Sequence, residues 1–80
     1  MDIDVIYERI LEKLVILDEL EIIDKLELSS AGAATGSEAL MLTGSFLSNL
    51  KHNNSYLYTQ LKEEIWEYLD YCKKNGLIIK

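Results

Sequence analysis

On a helical wheel at about 100° per residue, Ile3, Ile6, Tyr7, Ile10, Leu14 and Leu17 fall on one side, and Glu8, Arg9, Glu12 and Lys13 on the other. This is the pattern of an amphipathic helix from about Asp2 to Leu17. Val5, Val15 and Ile16 lie off its main stripe. The phase then fails. Continued in register, Asp18 and Glu21 would project into the apolar stripe, where a buried charge is costly. A kink or a stop is therefore expected near Asp18. Asp18 with Glu21 three residues on resembles an N-cap and its N3 acid. A second helix starting there, with Leu20, Ile23 and Leu26 as its buried side, competes with one bent helix.

The run from Ser29 to Thr35 is small and polar (SSAGAAT) and reads as a loop. Thr35, Gly36, Ser37 and Glu38 match a capping box, with Thr35 as N-cap. The spacing predicts a third helix from about Gly36 to Lys51. Leu40, Thr43, Leu47 and Leu50 form its narrow stripe, widened by Ala39 and Phe46. Gly44 inside that helix costs about 1 kcal/mol relative to alanine, which a close helix crossing, or close approach by a partner, would justify. His52 to Ser55 is a polar break, and Asn54 or Ser55 can cap the next helix. That helix is predicted from about Tyr56 to Asn75. Leu57, Tyr58, Leu61, Ile65, Tyr68, Leu69 and Cys72 share one face of it. Lys73 and Lys74 stand in its last turn, where cations complement the helix dipole, and Gly76 is the expected C′ residue. Leu77, Ile78 and Ile79 then fold back over the core or extend it. The fold class expected is all-α: a small antiparallel bundle of three to four helices forming one domain over residues 1–80.

Composition narrows what such a bundle does. The chain has 80 residues, 49% of them hydrophobic, no proline and a formal net charge of −6. That suits one compact domain near the size where a single core becomes marginal. A nucleic-acid binder usually shows a basic face, so direct nucleic-acid binding is not expected. Residues 1–28 hold nine acids and three bases, which accounts for the whole net charge. Residues 29–54 and 55–80 each sum to zero. Such an acidic field steers a cationic partner, although a solvated helix surface has the same composition. No apolar run approaches the roughly 20 residues of a membrane span. Asp2 and Asp4 stand where a signal peptide carries positive charge, so a cytoplasmic location is expected.

The search for chemistry is mostly negative. His52 falls in a turn and Cys72 on an apolar helix face, with nothing to suggest a nucleophile and its base. Cys72 reads as a small buried hydrophobe. Gly32 to Ser37 has three residues between its glycines and no lysine after them, so it is not a phosphate loop. Glu63 and Glu67 share a helix face, but no Glu-x-x-His motif accompanies them. Neither a metal, nor a cofactor, nor enzymatic activity is expected. Trp66 is the informative residue. It projects well away from the apolar face of the last helix, beside Lys62, Glu63 and Asp70 and near Glu67. An exposed tryptophan flanked by acids suits an interface anchor; covering the edge of the bundle is the alternative.

The segment from Gly32 to Met41 (GAATGSEALM) resembles a stretch found in small all-helical immunity proteins of bacterial polymorphic toxin systems, contact-dependent growth inhibition among them. In these a Thr-Gly-Ser-Glu start opens a helix between an acidic N-terminal helix and a tyrosine-rich C-terminal one. The likeness in layout covers about residues 20–75, and the motif itself only those ten residues. It implies a cytoplasmic protein that binds one cognate toxin domain and blocks it, as a monomer or as a heterodimer with the toxin. Many such toxins are nucleases with cationic clefts, some of them EndoU-like tRNA ribonucleases. No contact residue carries over from the resemblance. From the residues themselves, the partner-binding candidates are Trp66, Glu63, Glu67 and Asp70, with Glu8 and Glu12 as a second set. The competing expectation is a regulatory module that self-associates or docks a partner helix through Gly44 and Ser48.

Overall fold

The computed structural model describes residues 2–77 and 79. Four helices follow in order: α1 (Ile3–Ile16), α2 (Leu20–Ser29), α3 (Gly36–Asn53) and α4 (Ser55–Lys74). No strand occurs among the described residues. The reading of one bent N-terminal helix is thus replaced by two helices.

Each boundary has a local cause. Asp2 caps α1 through its carboxylate, which accepts the Asp4 amide at 3.3 Å. At the other end Asp18 adopts a left-handed backbone, φ +58°. The Asp18 amide donates to the Val15 carbonyl at 3.0 Å and the Glu19 amide to the Leu14 carbonyl at 2.9 Å. This pairing is a Schellman motif, with Asp18 at C′. The break was expected at this residue, but Asp18 closes α1 and does not open α2. The N-cap of α2 is Glu19, which makes no side-chain capping bond. A residue with a Cβ at positive φ carries a penalty that glycine escapes, small for Asp relative to most residues. Asp18→Gly is therefore expected to stabilise by about 0.5–1 kcal/mol, less than the full relief because glycine frees the unfolded chain. Thermal melts should show a gain of roughly 3–6 °C and a loss for Asp18→Ala.

Thr35 caps α3 as expected, its Oγ1 accepting the Glu38 amide at 3.1 Å. His52 and Asn53 belong to α3, so the polar break shrinks to Asn54 alone. The Asn54 side chain then caps α4, accepting the Leu57 amide at 3.2 Å. Gly76, at φ +73°, ends α4. Its amide donates to the Lys73 carbonyl and that of Leu77 to the Cys72 carbonyl, at 3.2 and 2.8 Å. This second Schellman motif turns the chain back, and Leu77 and Ile79 pack onto the core. Ile78, named with them as part of the returning tail, lies outside the described residues.

The helices close into a ring in which α1 packs on α2, α2 on α3, α3 on α4 and α4 on α1, with no close backbone approach across the diagonals among the described residues. Neighbours run antiparallel. The Tyr68 hydroxyl meets Leu40, fourteen residues to either side of Asn54. Lys13, in the last turn of α1, meets Glu64 midway along α4, while Ile6 in the first half of α1 shares a groove with Tyr71 and Lys74 near the end of α4. At about 1.5 Å per residue, the twenty residues of α4 span about 30 Å, the long dimension of a molecule measuring 31 × 24 × 24 Å.

Inside the ring, Ile10, Leu14, Leu26, Leu47, Leu57, Leu61, Ile65 and Cys72 are wholly buried. The apolar stripes read from α1 and α4 are the core-facing ones. On α2 the buried side is Leu26 with the partly buried Ile22 and Ile23. Leu20, expected on that side, is exposed, because at about 100° per residue it stands roughly 110° from the centre of the arc formed by Ile22, Ile23 and Leu26. Glu64 is the residue missed by the wheel. It is buried on α4 and receives the Lys13 ammonium at 2.9 Å, a pair joining α1 to α4. A carboxylate on an apolar face is tolerated only with such a partner. No buried side-chain nitrogen or oxygen among the described residues lacks a hydrogen-bond partner.

Candidate protein-binding surface

The six candidate contact residues fall into two places. Trp66, Glu63 and Glu67 line one shallow groove on α4, together with Tyr58 and Lys62. Trp66 stands 66% exposed, and the off-core position read from the wheel is the observed one. This groove exists because Tyr58, Lys62 and Trp66 recur every four residues along one ridge and Glu63 and Glu67 along the next, adjacent on a helix surface.

Asp70 belongs to the neighbouring groove between α1 and α4, with Ile6, Glu67, Tyr71, Lys74 and Asn75. Only Glu67 lines both. Asp70 is also engaged by Lys74 at 3.0 Å, one turn on. Its charge is thus largely answered within α4. Glu8 and Glu12 are exposed on α1 and line neither groove. The α4 set and the α1 set are therefore separate surfaces, and the α4 set divides in two.

The electrostatics favour the N-terminal half. Lys13, one of the three bases there, is committed to Glu64, and Lys25 lies 3.5 Å from Glu21. Asp2, Asp4, Glu8, Glu12, Asp18, Asp24 and Glu27 are exposed to solvent on α1, α2 and their caps. The α4 surface, by contrast, mixes Glu63 and Glu67 with Lys62, Lys73 and Lys74.

Among the described residues no group of three His, Cys, Asp or Glu stands close enough to hold a metal ion. His52 is exposed near the end of α3 and Cys72 is buried on α4. Burial pushes the Cys72 thiol above its ordinary range, away from a reactive thiolate. Gly44 is covered by its own chain. A Cβ placed there would lie 2.7 Å from Ile79 Cδ1 and 3.4 Å from Tyr68 Cε1. The glycine serves close packing of α3 against α4 and the returning tail, and it is not an open docking surface. No helix among the described residues is long and apolar enough to cross a membrane.

No protein-family model, no curated protein and no solved structure matches the chain.

Proposed function

We propose that the chain is an immunity protein, cytoplasmic, which binds a cognate bacterial toxin domain, a cationic nuclease with EndoU-like ribonucleases as one candidate class, and covers its active site. One observation carries the reading: a tryptophan 66% exposed in a groove with two glutamates, on a small bundle whose uncompensated charge is acidic. Acidic surface accelerates encounter with a cationic cleft, and a buried aromatic anchor slows departure. The ten-residue resemblance from Gly32 to Met41 supports the same role. That stretch covers the α2–α3 turn and the first turns of α3, and none of its residues lines the Trp66 groove.

The test begins with capture of a tagged copy from the source lysate, followed by a nuclease assay on the captured basic domain. Inhibition at one-to-one stoichiometry is the expected result. Charge reversal of Glu63 and Glu67, or of Glu8 and Glu12, should weaken the complex about tenfold or more, mostly at low salt. Unchanged affinity for both reversed pairs would remove the electrostatic basis of the reading. Capture of only a second copy of the chain would replace it with self-association.

A further inference from the structure

We infer that the outward face of α2 is a docking ridge for a cationic amphipathic helix of a partner protein. The inference rests on the reading of this chain as a binder of a cationic protein, but it uses neither Trp66 nor its groove.

Three observations converge on α2. The first is apolar exposure. Leu20 is 58% and Leu28 70% exposed. Single exposed leucines are ordinary, but these two lie eight residues apart on one ridge, about 12 Å along the axis. The second is charge. At about 100° per residue, the outward arc of roughly 120° holds Leu20, Glu21, Asp24, Glu27 and Leu28. All three acids are exposed and stand between and beside the leucines; Glu21 is paired with Lys25 at 3.5 Å, which leaves Asp24 and Glu27 for a partner's cations. The third is the helix end. α2 has no base in its last turn, while Glu27 stands in that turn, where the helix dipole is already negative. The other three helices each carry a base there. What would complement α2 is a cation beside its C-terminal turn.

These features select the occupant. Leucines about 12 Å apart are met by apolar residues one or two turns apart on a facing helix, as in helix-in-groove recognition. The intervening carboxylates require lysine or arginine on that helix's flanks. A second copy of the chain is disfavoured, since pairing two such faces opposes Asp24 and Glu27 of one copy to those of the other. α2 is also weakly held by its own fold: one buried residue, Leu26, and no side-chain cap. A partner laid along it would order an element that the core alone secures poorly.

The probe is a synthetic helical Leu/Lys peptide of about 16 residues, leucines on one face and lysines flanking them, titrated into the full chain. Backbone amide shifts locate binding. Trp66 is the sole tryptophan and sits on the helix diagonally opposite, so its fluorescence reports the α4 groove separately. We expect shifts along residues 20–29, unchanged Trp66 emission, and affinity falling several-fold as salt rises from about 50 to 300 mM. Leu20→Ser with Leu28→Ser, both at exposed sites, should leave the circular dichroism unaltered and weaken the peptide about tenfold or more. A version with alanine for leucine should bind correspondingly less. Equal binding by the double variant or by the alanine peptide, shifts centred on α4 with a change in Trp66 emission, or no binding at all would each overturn the ridge. So would a homodimer in sedimentation that the double serine variant dissolves. None of these touches the nuclease-inhibition result, which judges the immunity reading by itself.

Discussion

Tyr68→Ala is expected to remove a large share of the chain's stability. Tyr68 is 1% exposed and is the side chain on which α1, α3 and α4 converge. Its Oη donates to the Leu40 carbonyl at 3.2 Å, its ring edge lies against Gly44, and it shares a cleft with Ile3 and Tyr7. Removing a buried aromatic ring costs about 3–5 kcal/mol, against roughly 4–12 kcal/mol for a whole domain of this length. Urea unfolding followed by circular dichroism measures the loss. Tyr68→Phe keeps the ring and removes only the hydroxyl, so it should cost about 1 kcal/mol. The pair also separates packing from ionisation. Burial raises the Tyr68 pKa far above its ordinary value of 10.0, Cys72 adding to the shift and a hydrogen bond with Thr43 opposing it. The folded chain therefore keeps a proton that the unfolded chain releases above pH 10. Stability is fully present below that pH and falls as pH rises through it, by up to about 1.4 kcal/mol per unit from this group. Cys72 and Tyr7, also raised by burial, contribute losses from their own ordinary values upward. Tyr68→Phe should flatten the alkaline limb and leave the Cys72 part. An alkaline limb as steep in Tyr68→Phe as in the parent would show that the hydroxyl is not held neutral by the fold.

What the sequence discloses about this bundle follows from which forces act locally. The stripes of α1 and α4 are long and regular, so their wheels identify the core residues and leave Trp66, Val15 and Ile16 outside. Thr35, Asn54 and Gly76 cap by contacts within three or four residues, which a linear reading captures. Asp18 shows where that reading stops. An aspartate followed three residues on by glutamate suits an N-cap and equally sits beyond a C-terminus, and only the backbone hydrogen bonds to Leu14 and Val15 decide. On α2 the apolar pattern is short, and Leu20 stands roughly 110° from the centre of the arc formed by Ile22, Ile23 and Leu26, so it belongs to the outward face. Glu64 was hidden for a different reason. Its burial depends on Lys13, 51 residues away, and no local pattern announces the partner. The candidate contact residues were legible as exposed side chains, because exposure follows from the wheel. Their division between two grooves and a separate α1 surface depends on how α1 lies against α4, which sequence spacing does not contain.

Gly44→Leu is expected to cost about 1–3 kcal/mol, the range for overfilling a packed interior, and to do so by displacing the C-terminal return. The atoms in the way decide how. A Cβ at position 44 meets Ile79 Cδ1 at 2.7 Å and Ile79 Cγ1 at 3.3 Å before it meets the Tyr68 ring at 3.4 Å. Ile79 lies beyond the last helix, three residues after Gly76, and can leave. The α4 ring cannot leave without breaking the α3–α4 contact. Gly44→Ala adds only the Cβ and gains about 1 kcal/mol of helix propensity, so the two effects should nearly cancel and its melting temperature should stay close to the parent's. Leucine gains nearly the same propensity but adds three more carbons to a site already closed at the Cβ, so the overfilling dominates. Ile79→Ala removes the Cδ1 and Cγ1 atoms that a side chain at 44 would strike. The two changes should therefore couple, with Gly44→Leu costing about 1 kcal/mol less in the Ile79→Ala chain than in the parent. Denaturant unfolding of the four proteins in that cycle gives the coupling directly. Strict additivity would mean that leucine is accommodated against α4 instead, and that Gly44 is needed for the helix crossing alone. Because the variant disturbs the monomer's own core, a change in its oligomeric state reports on that core and not on a docking surface at Gly44 and Ser48.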